Sequence, residues 1–500
     1  MDKSLKWYNL ISLNIYWLGI NITTNILPVL LPALVLMFMP ENQKSTALAD
    51  IRVIGLVVAM LIQPIAGMFS DRNTSRWGRR RPYILVSAVF SIICLFLIGL
   101  SPMFLKSSAD SFFMPAFGFT TAYAVLLLGI ILMQFSSNLG QGATQGLIPD
   151  LVSSKQRGMA AGFKSLMEIL PMALVFFVGK FIDNGQIWLV VSIMMAGFLA
   201  TALVTIFTVH ETPISEKPAS GLGKGTLRLF ALTVIFFVTT RIAIWAISAA
   251  GNILAAYSLS PVLYIILIGV IGLICMAGSV FIGVFLGASV GIGKEWSSQK
   301  SFIWWIVNRL LILAAITGVR DFAQYYLRDV LKVTNPASAN TKLLLAIAAF
   351  LVPATLVGGK LGDRFGRKRM LLISAAMSAA GIVLLLTSTT MTLVYLSGSI
   401  IGLGYGFFMA CSWALGTELV PEKESGKYLG ISNLAGAGAG IVGTGIGGPM
   451  ADSFNAITPG LGYLVIYGIY AGLVLISAVV LVKVKDTGKK ITPGTEVGQI

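Results

Sequence analysis

Long apolar runs recur along nearly the whole chain. An α-helix of roughly 20 residues, at about 1.5 Å per residue, crosses the roughly 30 Å hydrocarbon core of a bilayer. Helices are expected because each one satisfies its own backbone hydrogen bonds in lipid. With 56% hydrophobic and only 11% charged residues among 500, the chain has more apolar surface than a soluble core can hide. The sequence therefore predicts an all-α membrane protein embedded in a lipid bilayer.

The formal net charge of +16 is distributed over short loops. Lysines and arginines fall mainly in loops on alternate sides of the apolar runs, which is the positive-inside pattern that orients membrane helices. We therefore expect a multi-pass protein of the plasma membrane with both termini in the cytoplasm and no nucleic-acid partner. The first run, near residues 11–38, is too long for the apolar core of a signal peptide, so we expect it to act as an uncleaved anchor.

The rarer residues give no indication of a metal site, a cofactor or an enzyme. Cys94, Cys275 and Cys411 lie far apart inside apolar runs and lack metal or redox spacing. The single histidine, His210, ends an apolar run at the start of a polar segment. Because the chain shows no nucleophile with a nearby base and no ligand cluster, catalysis is not expected.

Two basic loops of similar sequence each lie between two apolar runs. Residues 67–82 read G-M-F-S-D-R-N-T-S-R-W-G-R-R-R-P, and residues 359–369 read G-K-L-G-D-R-F-G-R-K-R. Each has a glycine, an Asp-Arg pair four residues later, a turn glycine and a run of cations. A second match aligns Asp150 with Glu418 at an offset of 418 − 150 = 268 residues. One structural unit therefore occurs twice in the chain.

The spacing of the two loops indicates an insertion between the repeated units. The chain contains fourteen apolar runs, and Asp71 and Asp363 are 363 − 71 = 292 residues apart. The second loop follows the fourth run after the polar segment, whereas the first loop follows the second run of the chain. We therefore expect an N-terminal six-helix half at residues 1–208, a cytoplasmic linker at 209–228, two inserted helices within 229–300, a C-terminal six-helix half at 301–484 and a cytoplasmic tail at 485–500.

The doubled loop resembles the loop between the second and third helices in each half of major facilitator superfamily carriers. Within that superfamily, residues 70–84 resemble the S-D-R-x-x-S-x-x-G-R-R-R-P-Y/F-I loop of glycoside-pentoside-hexuronide:cation symporters, especially their sucrose-carrier-like branch. Asn138, Gln141-Gly142 and Asp150-Leu151 resemble the N-N-x-x-Q-G…A-D-L stretch of sucrose carriers. The resemblance implies the major facilitator fold and secondary transport of a sugar or glycoside by alternating access, coupled to a proton, sodium or another cation.

One departure from the sucrose-carrier pattern affects coupling. Those carriers have an aspartate four residues before the asparagine of the fourth helix, where this chain has Gln134. Glutamine cannot bind and release a proton near neutral pH, so coupling through this position is not expected. Residues 53–69 also lack the acidic pair with which melibiose-type relatives bind sodium.

Polar side chains form stripes on two of the predicted helices. A stripe of amides in lipid needs protein or water partners, because an unpaired amide in hydrocarbon costs several kcal/mol. Amides and an indole suit the hydroxyls and the apolar face of a sugar ring, although such stripes also join membrane helices to each other. The residues predicted to bind substrate are Asn14, Trp17, Asn21 and Asn25 in the first helix, and Gln134, Asn138, Gln141 and Gln145 in the fourth.

Ionisable residues deep in a span are functional candidates because they are costly there. Glu168 lies about three turns into the fifth run, with Lys164 one turn before it on the same face. The first helix of the C-terminal half has Arg320 and Asp321, followed by Gln324, which is a further candidate for substrate binding. Glu168 is the first candidate for cation coupling and Asp321 the second. In each case a purely structural ion pair is the alternative.

The residues shared by the two basic loops are predicted to act in gating. An aspartate there can receive an arginine across the turn or face a helix N-terminus, and breaking that contact would let the halves rock. The predicted gating residues are Asp71, Arg72, Gly78, Arg79, Asp150, Asp363, Arg364, Gly366, Arg367 and Glu418. Two alternatives to a sugar carrier remain open, namely a carrier of an amphiphile such as a lysolipid and a non-transporting membrane sensor with the same fold.

Overall fold

The computed structural model describes residues 5–211, 223–257, 259–292, 296, 299–420 and 425–485, without the side chains of residues 154, 223–226, 229, 291–292 and 425–435. Most of the predicted linker at 209–228 and of the predicted tail at 485–500 lies outside these residues. Within the described part of the chain the regular structure is helical, with no strand. The all-α prediction is confirmed.

The first six predicted spans correspond to seven long helices, because Pro171 interrupts the fifth span. Proline has no backbone N–H and cannot continue the preceding helix without a break. Two short helices lie in the connections. In chain order the helices are α1 (Trp7–Phe38), α2 (Lys44–Asp71), α3 (Arg81–Leu100), α4 (Asp110–Phe117), α5 (Thr121–Gln145), α6 (Leu147–Leu151), α7 (Arg157–Ile169), α8 (Pro171–Asp183) and α9 (Ile187–Thr208).

Eight long helices form the rest of the described chain. They are α10 (Gly223–Ala255), α11 (Pro261–Ile292), α12 (Lys300–Asp329), α13 (Pro336–Phe365), α14 (Arg367–Leu386), α15 (Met391–Leu419), α16 (Ser425–Asn455) and α17 (Leu461–Val480). Thirteen segments of the described residues are long and apolar enough to cross a membrane, with α7 and α8 forming one of them. The glycine-rich helix α16 is a further helix of 31 residues. Thirteen of the fourteen predicted spans therefore each correspond to one long helix, and the fifth corresponds to the pair α7 and α8.

Two helix pairs provide most of the contact between residues 1–208 and residues 301–484. Helix α2 packs along α16, and α8 packs along α13. Glycines let α16 approach its neighbours closely, since a Cβ atom at Gly443 would collide with the carbonyl of Ala314 and one at Gly448 with the carbonyl of Ser45. Helices α10 and α11 pack against each other and against α16 and α17. These two helices therefore lie beside the main bundle.

The bundle has two distinct ends. We call the end with the loops after α2 and α13 the basic end, and the other end the opposite end. At the opposite end Asp452 accepts hydrogen bonds from the backbone N–H groups of Ser45 (3.1 Å) and Thr46 (2.7 Å) at the start of α2. Asp183 likewise accepts from the N–H groups of Ala337 (3.0 Å) and Ser338 (2.8 Å) at the start of α13. A carboxylate at a helix N-terminus is favourable because it meets unpaired N–H groups and the positive end of the helix dipole.

Ion pairs also connect the helices at the opposite end of the bundle. Lys44 contacts Glu41 (2.5 Å) and Asp329 (2.6 Å), and Arg328 contacts Glu41 (2.5 Å). The hydrogen bond from Arg328 lowers the pKa of Glu41 from 4.5 to about 2, with Lys44 adding to the effect and burial opposing it. Because the contact lowers this pKa, ionised Glu41 stabilises the folded protein. This stabilisation is fully present above pH 4.5 and is lost as the pH falls through about 2. The contact is therefore present throughout the neutral range.

The polar contacts that join residues 1–211 to residues 299–485 are concentrated towards one end of the bundle. Among the described residues, all hydrogen bonds and ion pairs between these two parts lie in the half of the bundle towards the opposite end. The structure is therefore closed at the opposite end.

The first prediction concerns topology. Tyr257, between α10 and α11, is 64% exposed and lies at the opposite end. In a variant with the three native cysteines replaced, Tyr257→Cys should react with a membrane-impermeant maleimide from the face opposite to the basic loops. Trp77→Cys, in the first basic loop, is the matched control and should react from the other face. Labelling of both cysteines from one face would contradict this topology.

The second prediction concerns the closed end. Glu41→Gln removes the charge that holds Arg328 and Lys44, so opening at the opposite end should become more frequent. The measurement is the labelling rate of Thr317→Cys, inside the bundle, by a reagent added on the Tyr257 side. The rate should rise relative to Thr317→Cys alone, and an unchanged rate would show that this contact does not control access.

Candidate functional site

A cavity of about 160 Å³ lies between α1 and α8 on one side and α12, α13 and α15 on the other. Its polar lining consists of Asn25, Thr317, Arg320, Asn340 and Tyr405. The remaining lining residues are mostly apolar, including several leucines of α13. The cavity therefore lies between the two parts of the chain that are joined at the opposite end, and it offers a few hydrogen-bonding groups on an apolar surface.

Helix α12 directs two neighbouring charged residues to different surroundings. Successive residues of an α-helix point about 100° apart. The Arg320 side chain is 45% exposed and lines the cavity, whereas the Asp321 side chain is 2% exposed and points between α2 and α16. The two residues that the sequence groups together therefore occupy different positions relative to the cavity.

Asp321 is the centre of a buried polar network. Its Oδ2 accepts a hydrogen bond from Thr444 of α16 (2.9 Å). Its Oδ1 lies 3.5 Å from a guanidinium nitrogen of Arg52 in α2 and 3.4 Å from one of Arg320. The carboxylate therefore connects α2 with α12 and α16, and through them the N-terminal and C-terminal parts of the chain.

Sequence reasoning missed Arg52. Its signal in the sequence is a charge inside the second apolar run. Asp50 carries the same signal, and it lies 3.8 Å from Arg241 of α10. Helix α10 is thus attached to α2 by a long ion pair.

The polar stripe of α1 is divided between two environments. Asn25 lines the cavity and donates to the carbonyl of Asn21 (2.8 Å), and Asn21 donates in turn to the carbonyl of Trp17 (2.8 Å). Asn14 is fully buried and donates to the carbonyls of Leu10 (2.9 Å) and Ala160 (3.2 Å). Asn14 therefore joins α1 to α7, and Asn25 is the member of this stripe that reaches the cavity.

The polar stripe of α5 faces α2. Asn138 is buried and donates to the backbone carbonyl (2.8 Å) and the side-chain oxygen (3.2 Å) of Gln134. Gln63 of α2 donates to Gln141 (3.4 Å), and Gln145 is exposed. Among the described residues, the lining of the cavity does not include this stripe. These amides lie together on one face as predicted from their spacing, and their role in substrate binding stays a prediction.

Gln324 lies one layer behind the cavity wall. It is buried, and its side-chain oxygen accepts a hydrogen bond from Asn340 of α13 at 3.5 Å. Asn340 lines the cavity, so Gln324 orients a lining residue. Asn340 and Tyr405 were not predicted, because nothing in the sequence shows which faces of α13 and α15 meet α12.

Lys164 and Glu168 form an ion pair on α7. Their nitrogen–oxygen distance is 2.6 Å, and each side chain is about one-third exposed. The Lys164 ammonium also lies 4.3 Å from the ring centroid of Trp17, a cation–π contact with α1. The pair therefore connects α7 with α1 outside the lining of the cavity, and its role in cation coupling stays a prediction.

The two basic loops repeat one arrangement of charges. Gly78 and Gly366 adopt φ angles of +98° and +92°, which favour glycine. Arg79, directly after the first glycine, pairs with Asp150, and Arg367, directly after the second, pairs with Glu418 (2.5 Å). Each loop thus joins the start of one helix to the end of another within its own part of the chain.

The aspartates of the two loops, Asp71 and Asp363, also pair with arginines. Arg80 pairs with Asp71 and with Asp150 (3.0 Å), and Arg367 pairs with Asp363 (3.1 Å). Arg72 is half-buried at the end of α2, and the Arg364 guanidinium lies 5.3 Å from the ring of Phe365.

Glu211 adds a contact to the first loop that the sequence did not indicate. It accepts a hydrogen bond from the backbone N–H of Arg80 (2.8 Å), and a Cβ at Gly78 would collide with its side chain. Burial raises the pKa of this carboxyl group, and its hydrogen bonds to the loop backbone oppose that shift. The residues after α9 are thereby attached to the first loop. No group of three or more potential metal ligands occurs among the described residues.

Family models match both parts of the chain. A model described as MFS/sugar transport protein matches residues 20–285, which is 266 of the 500 residues, and one described as Major Facilitator Superfamily matches residues 301–499. The first match ends within α11 and the second begins at the start of α12.

Curated relatives are similar over limited segments. The membrane-associated transporter protein of Homo sapiens is 29% identical over 175 residues, covering 34% of this chain and 32% of that protein. The sucrose transport protein SUT1 of Oryza sativa subsp. japonica is 36% identical over 118 residues, covering 21% and 20%. The sucrose transport protein SUC4 of Arabidopsis thaliana is 25% identical over 313 residues, covering 52% and 58%. The chain spans about a third or less of the first two relatives.

Solved structures with the same fold cover nearly the whole chain. The D-xylose-proton symporter has a TM-score of 0.61 at 16% identity and covers 95% of this chain and 97% of its own. The nucleoside transporter NupG has a TM-score of 0.60 at 13% identity, with 95% and 98% coverage. These identities show the fold alone. The family consists of membrane transporters, not enzymes, and because one of its models matches more than half of the residues, the chain belongs to the major facilitator superfamily and is similar to its sucrose-carrier-like branch.

Proposed function

We propose that this transporter moves a sugar or glycoside across the membrane by alternating access, coupled to a cation. The observation that carries the proposal is the cavity between the two parts of the chain, with Asn25, Asn340, Thr317, Arg320 and Tyr405 among leucines and isoleucines. Amide, hydroxyl and guanidinium groups suit sugar hydroxyls, and the apolar wall suits the ring face. The family model for sugar transport and the sucrose transport relatives support this substrate class.

Alternating access needs two ends that close in turn. The opposite end is held by Asp452, Asp183 and the Glu41–Lys44–Asp329 contacts. The arginine–acid contacts of the basic loops lie within each part of the chain, so they can hold each part rigid while the two parts move. We place the basic end in the cytoplasm of a cell whose plasma membrane contains the protein, in accordance with the positive-inside rule. The structure then corresponds to a cytoplasm-facing state.

We assign cation coupling to Asp321 in preference to Glu168. Asp321 is nearly inaccessible and holds Arg52 across the interface between α2 and α12, whereas the Glu168 pair is partly exposed. Protonation of Asp321 would remove the charge that attracts Arg52 and Arg320, so proton binding would weaken a contact between the two parts. A proton site at this position couples directly to the movement that transport requires.

An amphiphile carrier is the second candidate, because most of the cavity lining is apolar. An acyl chain would fit that surface and a polar headgroup could contact Arg320. Uptake of a lysolipid without uptake of sugars would favour this candidate. Ligand binding without any flux would instead favour a sensor.

The third prediction tests the sugar site. Purified protein in proteoliposomes should take up at least one member of a panel of mono- and disaccharides, with and without proton and sodium gradients. Asn340→Ala should weaken apparent affinity by about 1–3 kcal/mol, because it removes a polar group that meets the solute and leaves Gln324 unpaired. Asn252→Ala, an exposed amide on α10, is the matched control and should leave uptake unchanged. Equal uptake by the Asn340 variant and the wild type would contradict the assigned site.

The fourth prediction tests the coupling group. Asp321→Asn keeps the shape of the side chain but cannot ionise, so proton-driven accumulation should be lost while exchange of substrate across the membrane continues. Glu168→Gln should retain accumulation. The reverse result, with accumulation lost only in the Glu168 variant, would assign coupling to α7 instead.

A further inference from the structure

The central spans contain an excess of positive charge. The ion pairs Lys164–Glu168 and Asp50–Arg241 are each neutral overall. Asp321, by contrast, faces two arginines, Arg52 and Arg320. A single carboxylate cannot compensate both of them, and uncompensated charge inside a membrane protein is costly. One positive charge therefore remains next to the cavity.

Arg309 adds a second uncompensated charge. Its residue is 8% exposed, and its guanidinium lies between the rings of Trp305 (5.9 Å) and Trp413 (5.4 Å). Its Nη1 is 3.4 Å from the Ser412 hydroxyl, and its Nε has no hydrogen-bond partner. No aspartate or glutamate of the described residues forms an ion pair with it. A cation buried this deeply among aromatic rings has unused capacity to bind an anion.

Arg309 and Arg320 lie on the same face of α12. They are 320 − 309 = 11 residues apart, which is about three helical turns and roughly 16 Å along the axis. Ile316 lies on that face between them and lines the cavity together with Arg320. Tyr405 of α15 lies in the same lining as Arg320. The two arginines therefore mark a line from the cavity towards the basic end.

We propose that the transported solute carries a negative charge, as a sugar with a carboxylate or phosphate group does. Arg320 binds that anionic group in the cavity, and Arg309 provides the next position on its route to the basic end. Guanidinium groups match carboxylate and phosphate geometry, which suits them for this role. The inference rests on the proposed sugar transport and specifies the chemistry of its substrate.

The test is uptake by the full chain in proteoliposomes of matched neutral and charged sugars. Glucose is compared with glucuronate and glucose 6-phosphate, and sucrose with sucrose 6-phosphate. The charged member should enter about tenfold faster or more, as a hydrogen-bonded charge pair implies. The comparison of glucuronate with glucose 6-phosphate then shows whether a carboxylate or a phosphate is preferred.

Substitutions of the two arginines test whether α12 binds the anionic group of the sugar. Arg320→Gln should reduce uptake of the charged sugar about tenfold more than it reduces uptake of its neutral counterpart. Arg320→Lys should restore part of the loss because it keeps the charge. Arg309→Gln should also slow uptake of the charged sugar. Arg241→Gln, the arginine of α10 outside the cavity, is the matched control and should alter neither.

A binding measurement that keeps both arginines in place gives a test that holds even if the arginine variants fail to fold. In Thr317→Cys, with Arg320 intact, glucuronate or glucose 6-phosphate should protect the cysteine from labelling at lower concentration than glucose does. Faster uptake of the neutral sugars, with no effect of Arg320→Gln, would overturn the anionic substrate and leave the proposed sugar transport standing. Entry of no sugar of either charge would reject both.

Discussion

The cost of burying charge in an apolar bundle determines the position of the functional groups. Asp321 is stable inside the bundle because Arg52, Arg320 and Thr444 surround its carboxylate. Those partners come from α2, α12 and α16, so satisfying one charge also holds two parts of the chain together. Protonating the aspartate or moving either arginine would change the interface and the cavity at the same time. In the proposed mechanism, binding, coupling and movement therefore share one set of contacts.

The same principle operates at both ends of the bundle with different consequences. At the opposite end, Asp183 and Asp452 cap the helices α13 and α2 of the facing part, so each contact crosses the interface. At the basic end, Arg79 with Asp150 and Arg367 with Glu418 pair within one part. Contacts across an interface must break when that end opens, whereas contacts within a part can persist. In the proposed alternating access, this difference gives the closed end and the basic loops distinct roles.

Much of the architecture was predictable because membrane helices are specified locally. Apolar run length gave the fourteen spans, and the spacing of the two loops indicated the two extra helices α10 and α11. The candidate site was only partly predictable. Asn25, Arg320 and Asp321 were identified because polar groups in an apolar run are conspicuous, and the amides of α5 lie on a common face as their spacing required. Arg52 and Arg309 were missed because the sequence does not show whether an arginine in an apolar run pairs inside the bundle or reaches the membrane surface. Asn340 and Tyr405 were missed because their importance depends on which helices meet.

By itself, the sequence determined the all-helical membrane fold, its repeated basic loops and its superfamily, because hydrophobic length and short turn motifs act within a few residues of each other. The tertiary structure alone decided which polar residues share a cavity and which only join helices. Asn14 and Asn25 look alike in the α1 stripe, yet one bonds to α7 and the other lines the cavity. Arg320 and Asp321 are neighbours in sequence, yet one lines the cavity and the other lies at the interface with α2 and α16. The physical reason is that a polar group in a bilayer is stabilised by whichever partner the packing brings to it, and that partner lies up to several hundred residues away.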